Sequence, residues 1–108
     1  MQIPDERVEK ALDYLRSSVD SAAKARAERI YLTEWLKSLR AHQMTLAPAG
    51  TVADREAWAL SSDEYVKALD GYKAAVEIDE SYRFRREAAN ALIEAWRTAS
   101  ATERAARI

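Results

Sequence analysis

Apolar residues recur in steps of three and four along most of the chain, which is the spacing of one face of an α-helix. The first series consists of Val8, Leu12, Leu15, Val19 and Ala22. A wider series follows between residues 30 and 39, and a third runs from residue 65 to residue 96. This periodicity predicts an all-α protein built mainly of long helices.

Helix-breaking residues are concentrated in one part of the chain. There are two glycines and two prolines, and three of these four residues lie between Pro48 and Gly71. We therefore expect a long helix over about residues 5–43, a corner over 44–61 and a second long helix over about 62–100. Together these elements predict an elongated antiparallel helical hairpin.

Capping patterns predict where the helices of the corner region begin. Thr51 and Asp54 have the spacing of a capping box, which predicts a short helix over about residues 52–59. Ser61 and Glu64 repeat this spacing, and we expect them to open the second long helix.

Gly71 interrupts the second long helix with a residue of low helix propensity. A glycine in a helix interior costs about 1 kcal/mol relative to alanine. Close packing beside Trp35 would explain the glycine, and so would a local kink.

Length and composition indicate one small domain. The 108 residues are 48% hydrophobic and 32% charged, which is too apolar for a disordered chain and too charged for a thick core. We therefore expect residues 1–108 to form a single helical-hairpin domain with a mobile tail at 101–108. Two helices leave one flank of each apolar face open, so the hairpin is expected to form a homodimeric helical bundle. A monomer with the short helix wrapped over the open flank is the alternative.

The charge distribution supports an antiparallel arrangement. The net charge is −2 over residues 1–23, +3 over 24–43, −5 over 54–80 and +3 over 81–108. A hairpin places segments of opposite sign side by side. The ion pairs expected in that register join Arg26 and Arg29 to Glu77, Asp79 and Glu80, and Asp20 to Arg85 and Arg86. Exposed pairs contribute roughly a few tenths of a kcal/mol each, so they set orientation more than stability.

Large aromatic side chains are the expected contact surface, because an isolated hairpin leaves part of the tyrosine and tryptophan surface uncovered. Burying that surface requires a second copy or another protein. The residues that we assign to this dimer or partner interface are Tyr31, Trp35, Trp58, Tyr65, Tyr72, Tyr82 and Trp96.

The C-terminal part of the chain combines arginines with aromatic residues. Arginine beside aromatic surface suits contact with phosphates and stacking on bases. The arginines that we assign to a nucleic-acid patch are Arg83, Arg97, Arg104 and Arg107. In the alternative interpretation, Arg85 and Arg86 neutralise the acidic stretch of the opposite helix and the aromatic residues fill the helix interface. A net charge of −1 argues against general polyanion binding.

Catalytic patterns are missing from the sequence. The chain has no cysteine and one histidine, His42, and its two glycines do not form a phosphate-binding loop. We therefore expect no enzymatic activity, no cofactor, no metal and no small-molecule substrate. No apolar run reaches the roughly 20 residues of a membrane span, and the first residues lack the pattern of a signal peptide. These features predict a cytoplasmic protein without membrane contact.

Three segments resemble a family of small uncharacterised proteins of tailed bacteriophages and prophages. They are residues 25–39 (ARAERIYLTEWLKSL), residues 54–59 (DREAWA) with Tyr65, and residues 94–97 (EAWR). The resemblance implies a phage-encoded protein of the host bacterial cytoplasm, of a kind often found among replication and recombination genes. It suggests a non-catalytic accessory factor that contacts a recombination protein or DNA.

Two other functions are compatible with the sequence. A phage-encoded inhibitor would occlude a host defence or regulatory protein, with the acidic stretch 54–80 as its contact face. A structural component of the virion is the third possibility.

Overall fold

Four α-helices form the fold of the computed structural model, which describes residues 2–107. They are α1 (Asp5–Ser17), α2 (Val19–Leu46), α3 (Val52–Leu60) and α4 (Asp63–Ala106). No strand occurs in this part of the chain, so the predicted all-α class is confirmed. None of its helices combines the length and apolar character needed to cross a bilayer.

A local irregularity at Ser18 divides the helix predicted over residues 5–43 into α1 and α2. The Ser18 N–H donates to the Tyr14 carbonyl at 3.0 Å, and the Ser18 carbonyl accepts from the Ala22 N–H at 2.8 Å. Backbone hydrogen bonding therefore continues across the division. Paired serines favour such a departure, because their hydroxyls compete for backbone partners. At its other end α2 continues to Leu46, beyond the predicted residue 43.

The start of α3 is the predicted capping box. The Asp54 N–H donates to the Thr51 hydroxyl oxygen at 3.1 Å, and the Thr51 N–H donates to the Asp54 carboxylate at 3.1 Å. Because both N-terminal donors are satisfied reciprocally, a helix of nine residues begins at a defined position. The prediction of a short helix over about 52–59 is confirmed.

The start of α4 differs from the prediction by one residue. Ser62 caps α4, because its hydroxyl oxygen accepts from the Tyr65 N–H at 3.3 Å. Ser61 belongs instead to the end of α3, where its hydroxyl donates to the Ala57 carbonyl at 3.0 Å. The capping box predicted for Ser61 and Glu64 is therefore wrong. Either of the two consecutive serines could have capped α4. Ser61 instead belongs to the end of α3, and Ser62 takes the cap position.

The C-terminal end of α4 extends into the predicted tail. α4 ends at Ala106, so residues 101–106 are helical, whereas we expected the helix to end near residue 100. Alanine-rich sequence favours this extension. An ion pair between Arg107 and Glu103 at 2.8 Å adds support across the last turn.

The chain forms two compact units. The central unit comprises Lys24–Asp79, and the terminal unit combines the residues up to Ala23 with those from Glu80 onward. α4 supplies residues to both units.

Within the terminal unit, α1 packs antiparallel to the C-terminal part of α4. The Trp96 Nε1–H donates to the Asp5 carboxylate at 3.1 Å, and the Tyr14 hydroxyl donates to the Tyr82 carbonyl at 3.4 Å. Residue numbers rise along α1 as they fall along α4, which defines the direction. The buried apolar residues of this unit are Ile3, Val8, Ala11 and Ala89.

Within the central unit, α2 packs antiparallel to the first part of α4. The Arg29 guanidinium donates to the Asp79 carboxylate at 3.1 Å, which confirms one ion pair of the predicted charge register. Arg40 and Glu56 pair at 3.6 Å and connect α2 with α3. The buried residues of this unit are Leu36, Gln43, Ala59 and Ala75. The pairs predicted for Arg26 and Asp20 are wrong, since neither residue forms an ion pair within residues 2–107.

Gly71 has no packing role. A Cβ atom built on this residue would meet no atom within 4 Å, and α4 runs through the position without interruption. Close packing beside Trp35 therefore does not explain the glycine, and the local kink stays a prediction. The structure offers no other reason for a glycine at this position.

Replacing Gly71 by alanine is therefore expected to raise the free energy of unfolding by about 1 kcal/mol, because alanine restricts the unfolded chain and fits the helix. Urea unfolding followed by circular dichroism would measure the gain. Gly50→Ala is the matched control, since its Cβ would lie 3.0 Å from the Cβ of Asp54 in the α3 capping box. A loss of stability in Gly71→Ala would show that open space at this position is not the deciding factor.

Candidate protein-binding surfaces

Three aromatic residues of the central unit expose much of their side chains. The exposed fraction is 61% for Tyr31, 40% for Trp35 and 37% for Trp58. Tyr31 and Trp35 are four residues apart and therefore lie on the same side of α2. Leu36, by contrast, is turned inward and buried. We call Tyr31, Trp35 and Trp58 the aromatic set.

Other apolar side chains of the central unit are also exposed. They include Ile30, Leu46, Val52, Leu60, Val66, Leu69 and Ile78. Single apolar residues at a surface are ordinary, so these residues are not assigned to an interface one by one. The central unit therefore offers more apolar surface than its own packing uses.

The remaining aromatic residues of the predicted interface are half-buried and contribute to packing within their own unit. Tyr82 and Trp96 belong to the contacts that hold α1 against α4. Tyr65 follows the Ser62 cap at the start of α4. Tyr72 hydrogen-bonds with Thr33 across the α2–α4 contact at 3.2 Å. All four are less exposed than the aromatic set, and the side chains of Tyr72 and Trp96 also form internal hydrogen bonds, so the four are weaker candidates for an interface.

A polar cluster connects α2 with α4 beside Tyr72. Its members are Arg29, Thr33, Tyr72 and Asp79. The hydrogen bond from Thr33 lowers the pKa of the Tyr72 phenol below its usual value, with a further contribution from the Arg29 guanidinium, while desolvation acts in the opposite direction. The cluster joins residues of α2 and α4, so it is suited to fix the register between these two helices.

Most arginines of the predicted nucleic-acid patch form ion pairs within α4. These pairs join Arg83 to Glu80 at 2.6 Å, Arg97 to Glu94 at 3.0 Å and Arg107 to Glu103 at 2.8 Å. The Arg83 guanidinium also lies 4.8 Å from the centre of the Phe84 ring. Arg104 has no ion pair within residues 2–107. A phosphate that approached the three paired arginines would have to compete with a neighbouring carboxylate, which weakens this surface as a polyanion site.

The terminal unit contains an open groove between α1 and α4. Arg7 and Lys10 of α1 and Arg85 of α4 line it, and its apolar floor includes Ala11, Ala88 and Leu92. We call this feature the basic groove. Sequence reasoning missed it, although Arg7 and Lys10 are three residues apart and therefore share a face of α1. Arg85, which we expected beside Asp20, lines the groove.

The described residues contain no group of three or more histidine, cysteine, aspartate or glutamate side chains placed to hold a metal ion. His42 is exposed near the end of α2. Its backbone carbonyl accepts a hydrogen bond from the Thr45 hydroxyl at 2.6 Å. The surfaces with the clearest chemistry are thus the aromatic set and the basic groove.

Comparison of the chain with protein-family models, with curated proteins and with solved structures finds no match. The resemblance to phage proteins, and the biological setting that it implies, therefore stay predictions from the sequence.

Proposed function

We propose that this protein is a non-catalytic binding protein that contacts a partner protein through the aromatic set of the central unit. The supporting observation is the exposure of Tyr31, Trp35 and Trp58. Covering the exposed part of a large apolar side chain removes apolar area from water, which stabilises a complex. Tryptophan and tyrosine are also enriched among the residues that dominate binding energy at interfaces.

The setting that we propose is phage DNA recombination or replication in the bacterial cytoplasm, with a phage recombination protein as partner. This part of the proposal rests on the sequence resemblance. Inhibition of a host defence or regulatory protein is the alternative, with the acidic stretch 54–80 as its contact face. The identity of the captured partner distinguishes these two functions.

Contact with DNA has less support than contact with protein. Arg83, Arg97 and Arg107 already pair with glutamates, which leaves Arg104 as the unpaired arginine of the predicted patch within residues 2–107. Salt-dependent retardation of DNA by micromolar protein would support a DNA contact, and Arg97→Ala with Arg104→Ala would then weaken it. Absence of retardation at low salt would remove DNA from the proposal and leave the protein contact unaffected.

The double substitution Tyr31→Ala with Trp35→Ala tests the protein contact. It is expected to weaken partner binding at least about tenfold, because it removes two aromatic groups from one side of α2. Helix content should be retained, since neither side chain is buried. The measurement is capture from extracts of infected cells by immobilised wild-type and variant protein, followed by binding titration with the recovered partner.

Ile30→Ala provides the matched control. Ile30 is 58% exposed and precedes Tyr31, but it lies on another face of α2. This variant should capture the partner as wild type does. The proposal fails if wild-type protein retains no specific partner, or if the double variant binds that partner with unchanged affinity.

A further inference from the structure

A stripe of three carboxylates follows one face of α4 in the central unit. Asp63, Asp70 and Glu77 are separated by seven residues each, which places them on the same side of the helix. All three are exposed, and none has an ion pair within residues 2–107. Ala74, which is also exposed, lies on this face between two of them. We call this feature the acidic stripe.

The basic groove of the terminal unit has the opposite charge. Arg7 and Arg85 have no ion pair in the described part of the chain, and Lys10 has an exposed contact with Glu6 at 3.5 Å. The floor between these cations consists mainly of alanines with Leu92. Because alanine side chains are short, a helix can approach such a floor closely while the cations reach its flanking carboxylates.

The dimensions of the two features agree. The α4 side of the groove extends from Arg85 to Ala95, which corresponds to about 15 Å along a helix. Neighbouring carboxylates of the stripe are about 10 Å apart along α4. The groove is therefore long enough for two successive carboxylates, and its arginines can form charge-assisted hydrogen bonds with them.

We propose that the basic groove binds the acidic stripe of a second copy of this chain. Every copy carries both the groove and the stripe, their charges are opposite, and the groove is long enough for two carboxylates at this spacing. Proteins that bind nucleic acids usually have a longer basic surface. The groove has three cations, and the chain has a net charge of −1. The proposed contact uses no residue of the aromatic set, so the inference does not rest on the proposed function.

Two charge-reversal variants of the full chain test this contact. The first carries Arg7→Glu with Arg85→Glu, and the second carries Asp70→Lys with Glu77→Lys. Each variant alone is expected to raise the dimer dissociation constant at least about tenfold, because like charges then face each other. Sedimentation equilibrium at low salt would measure the change. All four positions are exposed, so circular dichroism should show wild-type helix content.

Mixing the two variants provides the decisive measurement. The acidic groove of the first variant complements the basic stripe of the second, and the unaltered basic groove of the second complements the unaltered acidic stripe of the first. The mixture is therefore expected to associate about as tightly as wild type. High salt should weaken both the wild-type complex and the mixed complex, because exposed charges are screened.

Exchange of an existing ion pair provides the matched control. Glu94→Arg with Arg97→Glu retains the net charge and a pair that is internal to α4, so association should not change. Three results would each overturn the proposal: a monomeric wild-type protein at every concentration, wild-type affinity in either reversal variant, or a mixture that associates no better than its components.

Discussion

Replacement of Leu36 by alanine is expected to lower the free energy of unfolding by about 2–4 kcal/mol. Leu36 is only 8% exposed and is the largest apolar side chain among the buried residues of the central unit. The substitution leaves a cavity between helices that have few other large groups to close it. Small domains are stable by only about 5–15 kcal/mol, so the loss should appear as a clearly lower urea midpoint.

Ile30→Ala is the corresponding control on the same helix. Because Ile30 lies in solvent, its removal should change stability by no more than about 0.5 kcal/mol. Equal losses in the two variants would mean that the inward face of α2 has been assigned incorrectly. Both variants should be compared with wild type at the same protein concentration, since self-association would otherwise contribute to the difference.

Enlargement of Ala59 is expected to have the second large effect. Ala59 has no exposed surface, and it is the buried residue of α3. Ala59→Leu adds three carbon atoms where neighbouring atoms already fill the space, which should cost about 2–3 kcal/mol. Thermal unfolding followed by circular dichroism would measure the loss.

Ala57→Leu tests whether this cost comes from packing. Ala57 is exposed on the same short helix, so the same substitution there should leave the unfolding temperature nearly unchanged. If Ala59→Leu were as stable as wild type, α3 would not be held against its neighbours in the way that the structure indicates.

Local features of the fold were predictable from the sequence because they depend on neighbouring residues. The start of α1 after Pro4 and the capping box at Thr51 and Asp54 follow from a few side chains and their spacing. The irregularity at Ser18 and the exact cap of α4 were not predicted. Two adjacent serines lie at each of these places, and at the start of α4 both hydroxyls form hydrogen bonds, so the sequence pattern alone did not identify the cap.

The composition of the core could not be read from the apolar pattern. Four of the seven apolar residues that are buried within residues 2–107 are alanines, namely Ala11, Ala59, Ala75 and Ala89. Periodicity identifies the inward face of a helix, but the distance between helices decides whether a small or a large residue occupies the contact. Short distances favour alanine at the contact, and larger residues such as Trp35 and Leu69 stay partly exposed.

The candidate sites were predictable in part for a related reason. An aromatic residue such as Trp96 counts equally in a sequence pattern whether it faces a partner or donates internally to Asp5. Which of these two roles the residue has depends on how α1 and α4 are aligned along their contact. The pairing of Arg97 with Glu94, in contrast, could have been inferred from their spacing of three residues. The basic groove combines residues of α1 and α4 that are distant in sequence, so no local pattern reveals it.

The distance in sequence between paired helices has a consequence for synthesis on the ribosome. Trp96 and Asp5 are separated by 91 positions, whereas the hydrogen-bonded pair Thr33 and Tyr72 is separated by 39. Closing the longer loop costs more chain entropy. Trp96 is also translated much later than Asp5, so the contact between them must wait. Of the four helices, α1 therefore leaves the ribosome first and acquires its packing partner last, and its apolar face stays available to chaperones until the C-terminal part of α4 has been made.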